Sequence, residues 1–305
     1  MEIIKAGTNF NVVGRMKFAA MASLAVIVIS ILSLLFHGGP NLGIDFAGGT
    51  LVQIQFKDTT KVNEIRNALK TNNLGNSVIQ QFGYEGDNEF LVKTEKSSSE
   101  LKGISANIEE ALASQFAEGT FDIRRTEVVG PKVGKDLRQK GILAILYAIV
   151  GILIYITWRF KFRYAIGAII ALMHDVIITV GIFSLLNKEF SLPIIAALLT
   201  IIGYSLNDTI VVYDRIRENI REIKRRTLGD IVNSSINQTL SRTVLTSVTT
   251  LLVVCALFFL GGAVIHDFAF ALLVGIAIGT YSSVFIASPT VLVWETLWPS
   301  KKNRK

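Results

Sequence analysis

Two carboxylates in this sequence lie inside apolar stretches, where charged side chains are rare. Asp208 follows Asn207 within residues 194–213, a stretch made mostly of apolar and small side chains. Twenty residues at roughly 1.5 Å per residue span about 30 Å, the thickness of a bilayer core. A carboxylate in hydrocarbon costs roughly 2.5 to 3.5 kcal/mol, so it normally faces other helices or water. Asp208 is therefore a functional candidate. The alternative is a carboxylate that joins two helices or lies at the cytoplasmic headgroups.

His174 and Asp175 form a second polar pair, about ten residues into the apolar stretch 164–186 and thus near mid-bilayer. Imidazole titrates near neutral pH, so the pair could relay protons. A fixed hydrogen-bonded pair that joins helices is an equally good interpretation. Arg242 opens a further apolar stretch, where it could pair with Asp208 or extend to the lipid headgroups.

Six apolar stretches would hold these residues in a bilayer. They comprise residues 18–36, 141–158, 164–186, 193–213, 243–261 and 267–294. A chain of 305 residues that is 50% hydrophobic, with its apolar residues in runs, is typical of a polytopic membrane protein. The first run is longer than a signal-peptide core and lacks a convincing cleavage site, so we expect a retained helix.

Basic residues predict the orientation of these helices. They cluster at residues 5–17, 159–163, 215–226 and 301–305, whereas Lys188 is the only basic residue in the predicted outer loops. Cytoplasmic loops are enriched in Lys and Arg, so both termini are expected in the cytoplasm. The predicted units are the N-terminus with helix 1 (1–36), an extracytoplasmic domain (37–138), helices 2 to 6 (139–298) and a basic cytoplasmic tail (299–305).

Residues 37–138 contain no apolar run long enough to span a bilayer. Alternating and periodic apolar positions predict strands at 50–56, 77–82, 89–93 and 120–129, and helices at 58–70 and 98–116. Their β-α-β-β-α-β order is that of a ferredoxin-like domain. The expected fold is therefore a polytopic α-helical membrane protein with six transmembrane helices and an α+β ferredoxin-like extracytoplasmic domain between helices 1 and 2.

Composition argues against several function classes. The net charge of +7 arises outside residues 37–138, where orientation and anionic membrane lipid account for it, so no nucleic acid partner is expected. The only cysteine, Cys255, allows no intramolecular disulfide, and no Cys and His pattern indicates a metal site. Neither a phosphate-binding loop nor a nucleophile elbow occurs in residues 37–138. We therefore expect no enzyme active site and no cofactor.

Small residues predict close helix packing in the membrane part. Gly275, Gly279 and Ser283 recur at four-residue spacing, and Gly203 lies near Asp208. In lipid such residues let helix backbones approach closely. Packing without any motion is the simpler interpretation of each stripe.

Together these residues resemble the SecD/SecF family of the bacterial secretion machinery, which belongs to the resistance-nodulation-division group of proton-driven transporters. The resemblance covers essentially the whole chain. The segments that carry it are GIDFAGGT at 43–50, ALMHDVIIT at 171–179, IGYSLNDTIVVYDRIREN at 202–219, TLSRT at 239–243 and GTYSSVFIASP at 279–289. The third segment is the most specific.

The resemblance implies roles for two of these residues. Asp208 would be the proton-responsive carboxylate and Arg242 its basic counterpart. We expect Asn207, His174 and Asp175 to be supporting polar residues within the membrane. The chain would work in the inner membrane with SecD, whose six helices complete a twelve-helix unit, and with the SecYEG channel. Its extracytoplasmic domain would contact the preprotein in transit, and protons moving down their gradient would promote export.

Two other function classes remain open at this point. A passive scaffold that only stabilises a partner complex has no need of an intramembrane carboxylate. A proton-coupled exporter of small molecules is expected to have a large substrate-collecting domain, and residues 37–138 offer no sign of one.

Overall fold

A computed structural model describes residues 8–83, 86–94, 103–117, 119–222 and 226–298. Its elements are α1 (Val12–Phe36), α2 (Ile44–Ala47), β1 (Gly49–Phe56), α3 (Val62–Lys70), β2 (Val78–Phe82), β3 (Glu89–Thr94), α4 (Ile104–Ala113), β4 (Phe121–Val129), α5 (Pro131–Arg159), α6 (Phe162–Leu185), α7 (Leu192–Glu222), α8 (Leu228–Leu260), α9 (Gly262–Ser282) and α10 (Ser288–Leu297). The predicted tail 299–305 and the predicted helical residues 98–102 lie outside the described residues.

Within the described parts of the chain, six helical segments are long and apolar enough to cross a membrane. They are α1, α5, α6, α7, α8 and the segment Val264–Leu297, which contains most of α9 and all of α10. The six apolar stretches predicted from the sequence are thus confirmed as helices. Helices α1, α5 and α8 bury little of their apolar surface within the chain, which leaves that surface for lipid or for helices of a partner.

The helices extend beyond the apolar stretches, and this corrects the predicted position of Arg242. The sequence places Arg242 at a helix start, whereas α8 begins at Leu228 and is capped by Thr227, which accepts a hydrogen bond from Asp230 N. Helix α5 likewise begins at Pro131, inside the region predicted as the extramembrane domain. A continuous apolar run reports only the part of a helix that meets lipid on all sides, and amphipathic or polar turns at its ends lie outside the run.

The elements between α2 and α5 form a four-stranded antiparallel sheet with the strand order β2-β3-β1-β4. Helices α3 and α4 cover one face of this sheet. The core between them contains Val52, Ile54, Ile65, Leu69, Ile108 and Leu112, which are all fully or almost fully buried. Alternate residues of β1 and one face of each helix form this core, because side chains point to the same face every second residue in a strand and about every 3.6 residues in a helix.

The segment 41–49 joins the sheet to the start of α7. Leu42 pairs with Phe190 in a parallel bridge, and Phe190 N donates to Asn41 O at 2.6 Å. Leu192 N, at the first residue of α7, donates to Asp45 Oδ2 at 2.8 Å. Asp45 thereby satisfies an N–H that has no partner within the helix, at the positive end of the helix dipole. The sheet is therefore tied directly to the helix that carries Asp208.

Two glycines allow the close contacts at this junction. Gly48 and Gly49 have φ angles of 79° and 136°, which side chains of L-residues rarely adopt. A Cβ on Gly48 would lie 2.9 Å from Pro131 Cα, and one on Gly49 would lie 2.6 Å from Thr94 O. Larger residues at these positions would therefore push the sheet away from α5 or from β3.

Ion pairs reinforce the same junction. Lys93 of β3 pairs with Glu189, and Lys188 pairs with Asp267 of α9 at 2.6 Å. Burial lowers the pKa of the Lys93 ammonium group, and the Asp267 carboxylate opposes this shift. These charges link the sheet to both the α6–α7 turn and α9.

The last membrane segment changes its helical geometry halfway. A π-helical turn, Ser283–Ala287, separates α9 from α10. Pro289 follows this turn and has no N–H to donate to the preceding turn, while Ser288 Oγ donates to Ser283 O at 2.9 Å. Such π turns occur frequently at functional sites, and this one directly follows the polar residues 280–282.

Candidate proton-coupling site

Asp208 lies on α7 and faces α8 and α9, with only 3% of the residue exposed. Ser247 Oγ of α8 lies 3.4 Å from Asp208 Oδ2, a long distance for a hydrogen bond. The same Ser247 Oγ lies 2.7 Å from Thr280 Oγ1 of α9, and Thr280 Oγ1 donates to Ile276 O at 2.7 Å. Thr280 thus donates its hydroxyl hydrogen to the backbone of its own helix. Ser247 must therefore be the donor in the contact of 2.7 Å with Thr280. Little donor capacity is left for the Asp208 carboxylate.

Arg242 and Asn207 do not contact Asp208 in this conformation. Arg242 is exposed on α8, near enough to the carboxyl for a Coulomb interaction but without an ion pair to it. Asn207 is exposed on α7, and among the described residues its side chain has no hydrogen-bond partner. Both side chains therefore face away from the interior of this bundle, toward lipid or a partner.

Asp175 lies on α6, with 1% exposure, and is surrounded by donors. Ser205 Oγ of α7 donates to Asp175 Oδ2 at 2.6 Å, and Ser282 Oγ of α9 donates to the same oxygen at 2.8 Å. His174 Nδ1 lies 2.9 Å from Asp175 Oδ1. The structure thus brings His174 and Asp175 together in a hydrogen-bonded cluster that joins three helices.

The pair also reaches α1. His174 Nε2 lies 3.2 Å from Ser23 Oγ, which lies 3.0 Å from Tyr281 OH. Tyr281 OH donates to Ala19 O at 2.9 Å. A continuous row of polar contacts therefore runs from α6 through α1 to α9 in the middle of the bundle.

Residues 279–283 of α9 and the π turn connect the two carboxylates. Thr280 contacts the Asp208 side through Ser247, and Ser282 contacts Asp175 directly. Ser283 Oγ lies 3.0 Å from Thr209 Oγ1, next to Asp208, and donates to Gly279 O at 2.9 Å. A shift of this short segment would therefore change the surroundings of both carboxylates together.

The small residues predicted to pack helices have different surroundings. A Cβ on Gly275 would overlap the side chain of Ile201, and one on Gly279 would lie 3.0 Å from Ser205 Cβ. Gly279 thus lets α9 approach α7 where Ser282 meets Asp175. A Cβ on Gly203 would meet nothing within 4 Å in the described structure, so Gly203 does not pack against another helix of this chain.

Sequence reasoning missed the hydroxyl side chains around both carboxylates. Ser23, Ser205, Ser247, Thr280 and Ser282 contact one or the other site, and none was singled out. A signal existed, since Thr239, Thr243 and Ser247 recur at four-residue spacing on α8 and are buried. Hydroxyls in apolar helices often bond to their own backbone, so the pattern alone would not have identified the partners.

The bundle contains two sites with titratable side chains. Among the described residues, no group of three or more His, Cys, Asp or Glu side chains could hold a metal ion. What the bundle offers instead is a carboxylate with few donors and a carboxylate paired with an imidazole. Both can gain or lose a proton without a cofactor.

Two family profiles match the sequence. The profile described as protein export membrane protein SecD/SecF, C-terminal, matches residues 108–297. The SecD/SecF GG motif matches residues 33–60, which include Asp45, Gly48 and Gly49 at the junction with α7.

Individual relatives agree with these profiles. The chain is 51% identical to the protein translocase subunit SecF of Magnetococcus marinus, covering 97% of this chain and 95% of the relative. It is 50% identical to that of Desulfurispirillum indicum, covering 92% and 90% of the two chains.

Solved structures resemble the fold as well. A crystal structure of SecDF, a translocon-associated membrane protein from Thermus thermophilus, superimposes with a TM-score of 0.86 at 40% identity over 96% of this chain. A second SecDF structure, in a super-membrane-facing form, gives a TM-score of 0.71 at 40% identity over 97% of this chain. The chain spans only 40% of the length of each SecDF chain.

Proposed function

Because the chain belongs to the SecD/SecF family of protein export membrane proteins, its function lies in protein export, and we propose that it couples export to the proton gradient through Asp208. It is a multi-pass protein of the bacterial inner membrane and an accessory subunit of the Sec translocase, with SecD as its partner. The observation that carries the proposal is the burial of Asp208 among three helices with one long hydrogen bond to its carboxylate.

The two protonation states of Asp208 require different surroundings. A neutral acid has a hydrogen of its own, which it can donate to Ser247 while Ser247 donates to Thr280. The row of hydroxyls is then complete in the packing described here. An ionised carboxylate lacks that hydrogen and needs water or a cation, so it favours a different packing of α7 against α8 and α9.

The proton gradient supplies enough free energy to shift such an equilibrium. Each charge that moves down the membrane potential provides roughly 2.3 kcal/mol per 100 mV. A bias of about 1.4 kcal/mol already changes a two-state equilibrium tenfold, so one proton can drive the change of packing.

Arg242 is the proposed counter-charge for the ionised state. Its guanidinium is exposed on the helix that carries Ser247 and is not used by an ion pair with Asp208 in this packing. A changed packing of α8, or a different conformation of the long Arg242 side chain, would bring the guanidinium and the carboxylate together. The pair would then stabilise the carboxylate after it has lost its proton.

The sheet with its two helices is the proposed extracytoplasmic unit, and both termini are proposed to lie in the cytoplasm. The strand order β2-β3-β1-β4 with two helices on one face supports the ferredoxin-like assignment. Asp45 links this unit to α7, so a movement at Asp208 can reach it. There it would act on preprotein emerging from the SecYEG channel, without a hydrolytic site of its own.

The test is proton-driven export by membrane vesicles that contain the chain together with SecD and SecYEG. Asn has nearly the size of Asp and keeps an acceptor oxygen, but it does not titrate. Asp208→Asn should therefore assemble with SecD and lose the stimulation of export by the gradient, while Asp208→Glu keeps part of it. ATP-driven export without a gradient should be unchanged in both variants.

Asp214→Asn serves as the matched control, because Asp214 lies on the same helix and pairs with Arg159 at 3.3 Å near the surface. It should leave the gradient response intact. Normal stimulation in an assembled Asp208→Asn complex would show that Asp208 only joins helices.

A further inference from the structure

We propose that His174 and Asp175 hold one proton between them as an imidazolium–carboxylate pair, and that this pair is a second proton site, apart from Asp208. The pair is almost completely buried, with 4% exposure of His174 and 1% of Asp175. The proposal follows from the number of hydrogens that the surrounding contacts require.

Three contacts in a row connect His174 to the backbone of α1. Ala19 O can only accept, so the hydrogen of Tyr281 is used in that bond. The contact of 3.0 Å between Tyr281 and Ser23 must then use the hydrogen of Ser23. The contact of 3.2 Å between Ser23 and His174 Nε2 is left with one possible donor, which is Nε2–H. His174 therefore carries a hydrogen on Nε2.

The other ring nitrogen faces Asp175. Ser205 and Ser282 both donate to Asp175 Oδ2, which is the arrangement that an ionised carboxylate prefers. His174 Nδ1, 2.9 Å from Oδ1, is then the third donor and also carries a hydrogen. With hydrogens on both nitrogens, His174 is an imidazolium ion. The pair as a whole is neutral, which avoids the cost of a net charge in the bundle.

A singly protonated His174 beside an ionised Asp175 would leave one of these contacts without a hydrogen. If only Nδ1 carried a hydrogen, Ser23 would have to donate to Nε2, and the oxygens of Ser23 and Tyr281 would face each other without a hydrogen. The buried pair would also carry a net negative charge. Both effects favour retention of the proton.

The groups that face the pair contain no other charge. Helix α9 contributes the titratable Tyr281, whose ring stacks on His174 with a centroid distance of 6.1 Å, and the neutral Ser282. Helices α1 and α7 contribute Ser23 and Ser205. Within the described part of the chain, no Lys, Arg, Glu or further Asp contacts the pair. Retention of the proton on His174 therefore depends on the direction in which Ser23 and Tyr281 donate their hydrogens and on the Asp175 carboxylate.

A separation of α1 from α9 would favour release of this proton, because it would break the contact between Ser23 and Tyr281, which belong to these two helices. If the separation accompanies the movement proposed for Asp208, the cycle carries a second proton, and this consequence rests on the proposed function. The protonation state itself does not. It can be measured in the resting complex whether or not Asp208 couples export to the gradient.

Solid-state ¹⁵N NMR of the complex with SecD in lipid bilayers tests the proposal. The chain has three histidines, so labelling histidine in this chain alone gives few signals, and His174→Asn identifies the one that belongs to His174. At about pH 8, where free imidazole is neutral, both ring nitrogens of His174 should carry hydrogen. A signal for one protonated and one unprotonated nitrogen in the native complex would overturn the proposal.

Tyr281→Phe tests the role of the hydroxyls. Without the tyrosine hydroxyl, Ser23 is free to donate to Nε2, so the neutral form of His174 should rise at least about tenfold at the same pH. Tyr204→Phe is the matched control, since Tyr204 OH donates to Thr250 in the same bundle and touches neither carboxylate. Equal imidazolium content in the two variants would refute the hydroxyl mechanism. The native spectrum decides the protonation state even if Tyr281→Phe fails to assemble.

Discussion

Asp208 and Asp175 are carboxylates buried to nearly the same degree in one helical bundle, but their donors differ. Asp175 has three donors at 2.6 to 2.9 Å, including an imidazole. Asp208 has one donor at 3.4 Å, and the hydrogen of that donor is also required by Thr280. A carboxylate whose acceptor capacity is met holds its helices together. A carboxylate with too few donors gains from taking up a proton, so donor supply distinguishes the two roles where burial does not.

The largest expected difference between the two sites is in stability. Asp175→Ala leaves three buried donors without an acceptor and the imidazolium without its counter-charge, which should reduce the free energy of unfolding by about 3 to 5 kcal/mol. Asp208→Ala removes one long hydrogen bond and should cost about 1 kcal/mol. Thermal unfolding of the detergent-solubilised chain measures both. Equal losses would remove the structural basis of the comparison.

Arg242 sharpens the comparison from the side of function. Arg242→Gln should reduce the stimulation of export by the gradient about tenfold, because the ionised Asp208 loses its proposed counter-charge. The free energy of unfolding of this variant should change by less than about 0.5 kcal/mol, since the side chain is exposed and does not pair with Asp208 in this packing. Export measured with and without a proton gradient reports the effect on function, and a thermal melting curve reports the effect on stability. A fall in stability without a fall in gradient response would contradict the assignment.

Asp45 tests whether movement of the Asp208 helix reaches the sheet. Asp45→Ala removes the cap on Leu192 N and should destabilise the start of α7 by about 1 kcal/mol. Asp45→Asn keeps an acceptor oxygen and should therefore keep most of the stability that the cap provides. Faster amide hydrogen exchange at residues 192–195 would report the loss.

The control for Asp45 is Glu64→Ala, which removes a similar cap from α3 in the sheet domain. Glu64 Oε2 accepts a hydrogen bond from Lys61 N at 3.1 Å. It should leave exchange in α7 unchanged. If both variants weaken the gradient response equally, the junction at Asp45 has no special part in transmission.

The hydroxyls offer a finer comparison of the two sites. Ser282→Ala removes a hydrogen bond of 2.8 Å to Asp175 and should cost about 1.5 kcal/mol of stability, the usual value for a bond to a charged group. Ser247→Ala removes the bond of 3.4 Å to Asp208 and should cost about 0.5 kcal/mol. The two melting temperatures should therefore fall in that order, and the reverse order would be inconsistent with the donor supply inferred for the two sites.

Much of the fold could be predicted because its signals are local. Runs of about twenty apolar residues indicate helices whatever surrounds them, and alternation in Val52 and Ile54 identifies the buried face of β1 before its partners are known. The same reasoning failed for Arg242, because it followed continuous apolar runs. Residues 228–241 of α8 are amphipathic, with Ile231, Val232 and Ile236 buried between polar neighbours, and they do not form such a run.

The candidate site was predictable only in part. Asp208, His174 and Asp175 stand out because ionisable groups in apolar stretches are costly and therefore rarely lack a role. Asn207 was named for its position next to Asp208 and Gly203 as a helix-packing residue, but a helix has several faces, and both lie on an exposed one. Neighbours in sequence along a helix point in different directions, so adjacency does not predict a shared site.

The sequence by itself determined that this chain has six apolar helices, a sheet domain between the first two, and carboxylates within the bundle. Those properties follow from composition and from periods of two and 3.6 residues, which act over one element at a time. Only the tertiary structure decided which hydroxyls surround each carboxylate, because the partners are far apart in the chain. Ser23 and Tyr281, whose contact sets the direction of the hydrogens at His174, are separated by 258 residues. Hydrogen bonds form or fail within a few tenths of an ångström, so the difference between Asp208 and Asp175 depends on how the helices pack.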